Sequence, residues 1–386
     1  MSKILFKNCK IIIENEILEG QSLIVDNGKI SEILNCEADL SFTKIIDCEN
    51  KYLSPGFIDL HNHGNSGFDA MDGTKEALEK IAKFHITNGV TSYLATTMTA
   101  SSENTVNAIK NVVSYLEKDI DSDEAELLGL YLEGPYFAME KKGAQPGQYI
   151  KEGSIAEVKE YIKAGNGFIK IIALAPEIEN ANEITRYLVN NGITVSCGHT
   201  NATYDEAMIT INNGASEATH IFNGMRAFSH REPGIVGACL LDQRVSCEMI
   251  CDGIHLHSGA MEIVYRMKGK ENIVLISDAM RATGLEDGEY DLGGQTVYVN
   301  GYEARLGDGV LAGSTLTLNR AVKNMIELVD VPLQEAVLMA TLNPAKKIGV
   351  EKTKGSIAIG KDADLIIFDA DINIEKAFLK GKEFVI

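Results

Sequence analysis

The residues with the clearest chemical potential lie in the segment Asp59-Leu60-His61-Asn62-His63. This segment follows a short apolar run that the break Pro55-Gly56 opens. Residues i and i+2 of a strand point to the same side. His61 and His63 can therefore direct both imidazoles at one point, as a metal site requires. Taken alone, the pair fits a polar strand edge or one buried histidine equally well, so the rest of the chain has to decide.

Further potential ligands follow later apolar runs. Glu133 precedes Gly134-Pro135, and His199 and His220 lie one predicted β/α repeat apart. Two neutral imidazoles from neighbouring strands and one carboxylate form a common divalent-cation site with a position open for water. Each histidine alone would fit a buried core residue, and Glu133 alone would fit a helix cap or an ion pair. Their joint position at predicted strand ends favours the metal site.

Four other polar residues have a position suited to catalysis or substrate binding. Asp278 follows the last predicted strand, where a carboxylate could take a proton from water and return it to a leaving group. Its alternative role is a helix N-cap. His255 is closer to a predicted strand end than His257, so His255 is the expected substrate contact. Arg231 suits a phosphate through paired hydrogen bonds, although a salt bridge with Glu232 is an equal alternative.

Eight apolar runs alternate with amphipathic helical segments from residue 55 onwards. The runs are centred on residues 56–64, 91–97, 127–136, 168–176, 194–200, 218–223, 245–255 and 273–279. Helical segments are predicted over residues 74–88, 101–117, 154–164 and 182–191, and a capping box at Thr203–Glu206 opens another. Eight β/α units in succession predict an α/β fold of the (β/α)8 TIM-barrel type, in which catalytic side chains lie at the C-terminal ends of the strands.

Both chain ends are rich in β-forming residues. Asn27-Gly28 between two apolar runs predicts a hairpin, and residues 355–369 are predicted to form two strands around a turn. Neither end has enough apolar residues for a core of its own. We therefore predict that residues 1–54 and 348–386 together form a small discontinuous β-sandwich domain beside a barrel of residues 55–347.

Charge and cysteine content limit the possible partners and location. The formal net charge of −19 disfavours binding to nucleic acid or to an anionic membrane. The 7 cysteines show no Cys-x-x-Cys spacing, which is typical of reduced residues in an intracellular protein. The first ten residues lack a secretory apolar core, and no apolar stretch is long enough to span a membrane. The expected location is therefore the cytoplasm.

Several motifs together resemble the N-acetylglucosamine-6-phosphate deacetylase family of the amidohydrolase superfamily. In chain order they are PGFIDLHNHG, LEGPY, GHT, THIFNGM, HREPG, CDGIH, SDA and LAGS. The resemblance runs from about residue 50 to the end, and LEGPY with HREPG is its most specific part. It implies removal of acetate from the amide of a phosphorylated amino sugar, with one or two divalent cations per subunit. The ligand types suit zinc, iron, manganese or cobalt.

The resemblance also implies roles for individual residues. Glu133, His199 and His220 match the principal metal site, His61 and His63 a second one, and Asp278 the catalytic aspartate. The implied substrate contacts are Ala144, Gln145, Asn223, Gly224, Arg231, His255, Leu311, Ala312 and Gly313. Arg231 is expected to reach the neighbouring active site of a homodimer. Gln145 departs from the pattern, because many relatives place a histidine there to polarise the amide carbonyl.

Two alternative functions are compatible with parts of this pattern. A different amidohydrolase, such as an N-acyl-amino-acid deacylase or a cyclic-amide hydrolase, would share the barrel and the His-x-His pair. Many of these place a carboxylated lysine after the fourth strand, where this chain has Ala173-Leu174-Ala175-Pro176. A non-catalytic barrel that serves as a binding protein is the alternative from another class. Such proteins usually lose ligands, whereas this chain keeps all of them.

Overall fold

A computed structural model describes residues 3–35, 44–117, 124–384 and 386 of the chain. The strands in chain order are β1 (Lys3–Ile12), β2 (Ile17–Asp26), β3 (Lys29–Leu34), β4 (Lys44–Asp47), β5 (Tyr52–Pro55), β6 (Phe57–Asp59), β7 (Gly64–Asn65), β8 (Phe68–Asp69), β9 (Val90–Thr97), β10 (Glu126–Glu133), β11 (Ile169–Leu174), β12 (Thr194–Cys197), β13 (Glu217–Ala218), β14 (Ser246–Ile250), β15 (Ile273–Ile276), β16 (Gly288–Leu292), β17 (Gln295–Asn300), β18 (Glu303–Leu306), β19 (Leu365–Phe368), β20 (Ile374–Leu379) and β21 (Lys382–Phe384). The α-helices are α1 (Lys75–Thr87), α2 (Ser102–Leu116), α3 (Ile155–Gly165), α4 (Ala181–Asn190), α5 (Tyr204–Asn212), α6 (Gly234–Leu241), α7 (Ser258–Lys268), α8 (Leu318–Val329), α9 (Leu333–Ala340) and α10 (Leu342–Lys347).

Eight parallel strands form a nearly closed barrel, in the order β6-β9-β10-β11-β12-β13-β14-β15. Past the ends of the first and last strands, the Asp278 N–H donates to the His61 carbonyl at 2.8 Å and the His63 N–H donates to the Ala279 carbonyl at 2.8 Å. Each of the eight predicted runs overlaps one of these strands, so the barrel prediction is confirmed. The sixth strand, β13, has only two residues, because the chain leaves the sheet before His220.

The helices between the strands begin and end where the sequence predicts. Thr74, Ser101 and Ser154 each accept a hydrogen bond from a backbone N–H in the first turn of the helix that follows. The capping box is present, since Thr203 and Glu206 bond reciprocally at the start of α5. These caps satisfy backbone groups that would otherwise lack partners, and they fix where each loop at the C-terminal face of the barrel ends.

Strands from both chain ends form one sheet, in the order β21-β20-β19-β5-β1-β2-β3 with β4 beside β1. The predicted hairpin at Asn27-Gly28 is present, with positive φ at both turn residues. The predicted pairing of the two ends is confirmed by the antiparallel contact of β19 with β5. The sheet has its own apolar cluster around Phe6, Leu23 and Phe378. The sandwich arrangement and the domain boundaries remain predictions.

One prediction for the tail is wrong. Residues 355–369 contain a single strand, β19, and its hairpin partner β20 follows it instead of preceding it. Gly355 and Gly360 adopt φ values of +81° and +90°, so the chain turns at both ends of the expected first strand. Between these two glycines Ile357 is buried and Ile359 is 71% exposed. The apolar–polar alternation that predicted a strand therefore lies in a loop.

A further sheet was not predicted. Strands β16, β17 and β18 form an antiparallel sheet after β15, which we call the flap (residues 288–306). Its turns contain Gly293-Gly294 and Asn300-Gly301, which are hairpin signals that the sequence offered. Among the described residues, no helix combines the length and apolar character needed to cross a membrane.

Candidate metal-binding active site

The predicted site residues meet at the C-terminal face of the barrel. Glu133 is the last residue of β10, and His199, His220 and Asp278 each lie two positions after the ends of β12, β13 and β15. These last three residues adopt positive φ values of 47°, 30° and 49°, which non-glycine residues rarely do. Such backbone conformations persist where the surroundings enforce them, and they are frequent at functional sites.

Glu133, His199 and His220 form the first cluster of potential ligands. Glu133 Oε1 lies 3.1 Å from Nε2 of each histidine, and the two Nε2 atoms lie 3.2 Å apart. All three side chains are buried. Two ring nitrogens and one carboxylate oxygen facing one another at this range form a donor set for a divalent cation.

His61, His63 and Glu133 form a second cluster that shares the carboxylate with the first. His63 Nε2 lies 3.3 Å from Glu133 Oε2, and His61 Nε2 lies 3.7 Å from Glu133 Oε1. Asp278 Oδ1 lies 3.4 Å from His63 Nε2 and 3.6 Å from His61 Nε2. The two oxygens of Glu133 therefore face different histidines, as a carboxylate that bridges two cations would do.

Opposite charges balance the cost of burying these groups. Burial alone would raise the pKa of Glu133, but the close contacts of its carboxylate with the His199 and His220 imidazoles hold this pKa well below its usual value. Burial would likewise raise the pKa of Asp278, and His63 keeps it lowered. Burial would lower the pKa of His63, whereas Asp278 and Glu133 raise it well above its usual value. The surrounding imidazoles therefore favour the ionised form of both carboxylates.

The hydrogen bonds around the histidines fit a resident cation. His199 donates Nδ1–H to the Lys141 carbonyl at 2.9 Å, and His61 donates Nδ1–H to Glu248 Oε2 at 3.0 Å. Each bond fixes the tautomer that leaves the Nε2 lone pair directed into the cluster. His61 Nε2 is buried and has no hydrogen-bond partner among the described residues. This orphaned acceptor is the atom that a metal ion would use.

A cavity of about 300 Å³ opens onto these clusters. Most of the predicted substrate contacts line it, namely Ala144, Gln145, Asn223, Gly224, His255, Leu311 and Gly313. Asp252 Oδ2 holds His255 Nδ1 at 2.6 Å, whereas His257 is exposed and caps α7. Two predicted contacts do not line the cavity. Ala312 is fully buried, and Arg231 is exposed in the loop before α6.

The sequence interpretation missed Glu248 and Arg305. Glu248 lies on β14 with no exposed surface, and its Oε2 also accepts the His220 backbone N–H at 3.2 Å. Burial raises the pKa of Glu248 to about 8. Arg305 of the flap is the one arginine or lysine among the described residues that line the cavity. A carboxylate inside a predicted apolar strand could have indicated Glu248 from the sequence. Arg305 could have been found only if the strands of the flap had been predicted as well.

The fold and this donor set define a metal-dependent hydrolase of the barrel type, and the family comparison agrees. The sequence matches the amidohydrolase family over residues 52–384. The chain belongs to the amidohydrolase family.

Individual relatives narrow the similarity within that family. N-acetylglucosamine-6-phosphate deacetylase of Lysinibacillus sphaericus is 38% identical over 98% of this chain and 97% of its own length. N-acetylgalactosamine-6-phosphate deacetylase of Escherichia coli O157:H7 is 37% identical, with 97% of each chain covered. The crystal structure of N-acetylglucosamine-6-phosphate deacetylase from Pasteurella multocida superposes with a TM-score of 0.93, covers 99% of each chain and is 35% identical.

Proposed function

We propose that this chain hydrolyses the acetamido group of N-acetylglucosamine 6-phosphate to acetate and glucosamine 6-phosphate. The observation that carries the proposal is the convergence of Glu133, His199 and His220 within hydrogen-bond distance at the floor of the cavity. Relatives with this activity in their names match nearly the whole chain, which supports the same substrate class here.

The reaction needs a divalent cation, and the two clusters supply its ligands. Glu133, His199 and His220 would hold the principal ion, and His61 and His63 would hold a second ion that shares Glu133. When bound, the cation lowers the pKa of a water molecule and polarises the acetyl carbonyl. Nitrogen and carboxylate ligands suit zinc, iron, manganese or cobalt. Glu248 and the Lys141 carbonyl hold two of the imidazoles in the required tautomer.

Asp278 is proposed to move the proton. Its ionised carboxylate takes a proton from the attacking water as the carbon–oxygen bond forms. It then donates this proton to the amine nitrogen as the carbon–nitrogen bond breaks. Asp278 is 7% exposed and its Oδ1 faces the second cluster, so it can act on a water at the cluster without competition from bulk solvent.

The phosphate end of the substrate is proposed to bind at the outer part of the cavity. Asn223, Gly224 and His255 offer hydrogen-bonding groups there, and Arg305 offers a positive charge from the flap. Arg231 is proposed to reach the active site of the second subunit of a homodimer. Phe228, three residues before Arg231 in the same loop, is a large apolar side chain that is 58% exposed, as expected of a face that another subunit covers.

The proposal includes the organisation and location of the protein. Residues 1–54 and 348–386 are proposed to form the small β domain, and residues 55–347 the catalytic barrel. The apolar cluster of the chain-end sheet supports this division. Cys36 lies outside the described residues, and the other six cysteines are buried and free, in keeping with a reduced cytoplasmic protein.

Acetate release tests the proposed function. Wild-type protein reconstituted with zinc or manganese is assayed on N-acetylglucosamine 6-phosphate, on its galactosamine epimer, on unphosphorylated N-acetylglucosamine and on an N-acetyl amino acid. We expect the glucosamine phosphate to give the highest kcat/KM. Preference for the epimer would correct the sugar, and preference for the amino acid would replace the proposal with the deacylase alternative. A folded protein that takes up no metal during reconstitution and is inactive on all four substrates would favour the binding-protein alternative.

The role of Asp278 is tested by Asp278→Asn. Loss of a general acid–base typically costs about 10²- to 10⁴-fold in turnover. We expect a fall of that size in kcat with an unchanged metal content by elemental analysis. Normal acetate release by this variant would rule out the assignment.

A further inference from the structure

Gln145 makes two hydrogen bonds that hold its side chain inside the protein. It lies in the loop between β10 and α3 and is 3% exposed. Its Oε1 accepts the backbone N–H of Thr99 at 2.9 Å, and its Nε2 donates to Glu133 Oε2 at 2.5 Å. Because only the carbonyl end can accept from the Thr99 N–H, the orientation of the amide is fixed. The donor end therefore faces the carboxylate.

The oxygen that Gln145 contacts is the one that faces His63 of the second cluster. Glu133 Oε2 lies 3.3 Å from His63 Nε2, whereas Oε1 faces His199 and His220 and lies 3.7 Å from His61 Nε2. A carboxylate oxygen has two lone pairs, so a bond from Gln145 leaves one free on the side of His63. The terminal torsion of a glutamate is otherwise broad, so the bond restricts a rotation that would turn Oε2 away.

We propose that Gln145 is a positioning residue that holds the Glu133 carboxylate across the two clusters and thereby determines binding of the second cation at His61 and His63. The inference rests on the proposed function, since it needs both clusters to bind metal. It gives Gln145 a role different from polarising the substrate carbonyl. The short contact with Glu133 commits one amide hydrogen to the carboxylate, and the Thr99 bond prevents the side chain from turning towards the substrate.

Metal stoichiometry tests the proposal without any substrate. Wild type, Gln145→Leu and Gln145→Met are dialysed against buffered zinc over a range of free concentrations, and bound zinc per subunit is measured. Gln148→Leu is the matched control, because Gln148 is exposed in the same loop. Loss of a group that orients a metal ligand typically weakens metal binding by about 10- to 100-fold.

We expect wild type and Gln148→Leu to bind two ions. Both Gln145 variants should bind the tighter ion with unchanged affinity and the weaker ion about 10- to 100-fold less tightly. Retention of the tighter ion also reports that the first cluster is folded. Gln145 variants that keep two ions with wild-type affinities while kcat falls would overturn the proposal in favour of a substrate contact. A wild-type protein that binds one ion, or variants that lose both, would overturn it as well. Acetate release by the wild type reports separately on the proposed function.

Discussion

His85 supports the metal-site segment from helix α1, and its burial predicts a pH-dependent stability. Its ring packs against Tyr93, and its Nε2 donates to Asn62 Oδ1 at 3.1 Å. Asn62 lies between the two histidines of the second cluster, and its own amide donates to the Leu94 carbonyl. His85 therefore links α1 to the segment that directs the two imidazoles. It is 5% exposed, and burial lowers its pKa to about 3.

The magnitude follows from the difference between folded and unfolded pKa values. An unfolded histidine titrates near pH 6.5, so between about pH 6.5 and pH 3 the unfolded chain binds a proton that the folded chain excludes. The contribution of His85 to stability is present above the unfolded pKa and is lost as the pH falls through this window. At pH 5 the loss is about 2 kcal/mol, against about 0.2 kcal/mol at pH 7, at ~1.4 kcal/mol per pKa unit. The exact pKa of His85 in the folded protein hardly affects this result, as long as that pKa stays well below 5.

Urea unfolding of wild type and His85→Gln at pH 7 and pH 5 measures this effect. Glutamine can place an N–H near the same acceptor and does not titrate, so the comparison removes only the proton-linked part. Both proteins are treated with a chelator to remove metal binding from the comparison. His230→Gln, which replaces an exposed loop histidine, serves as the control. We expect the stability difference between wild type and His85→Gln to shift by about 2 kcal/mol in favour of the variant at pH 5. A difference that does not change with pH would refute the reasoning.

Three further predictions concern the site. Gly224→Ala should lower kcat/KM by about tenfold or more, because Gly224 has a φ of +60° and a Cβ there would lie 2.9 Å from His199 Nδ1. Gly192→Ala is the control, since Gly192 has a similar φ with open space around it, and this variant should keep full activity. Equal losses of activity in the two variants would point to backbone strain alone. Glu248→Leu removes the group that accepts the hydrogen bond from His61 Nδ1–H. Zinc titration should therefore show the second ion bound about 10- to 100-fold more weakly. Unchanged zinc binding would exclude this supporting role of Glu248. Arg305→Met should raise KM at least about tenfold for the phosphorylated sugar and leave kcat/KM for the unphosphorylated sugar unchanged. Equal effects on both substrates would exclude a contact between Arg305 and the phosphate.

Local sequence patterns were sufficient to predict the barrel and the candidate metal-site residues. Apolar runs of strand length and helix caps are local signals, so they place each strand end within a few residues. Parallel strands of a barrel bring their C-terminal ends to one face. Residues as far apart in the chain as Glu133 and His220 could therefore be expected together, and in the structure Glu133 Oε1 lies 3.1 Å from His220 Nε2.

The groups that support these candidate ligands could be identified in the three-dimensional structure alone. The bonds of Gln145 to Thr99 and Glu133, and of Glu248 to His61, join loops and strands whose approach no local pattern encodes. The tail shows the same limit: residues 356–359 alternate like a strand, but the chain turns at both ends of this segment and pairs it with no strand among the described residues. A side chain's hydrogen-bond partners depend on where distant backbone lies after folding, and that position is set by the packing of the whole barrel.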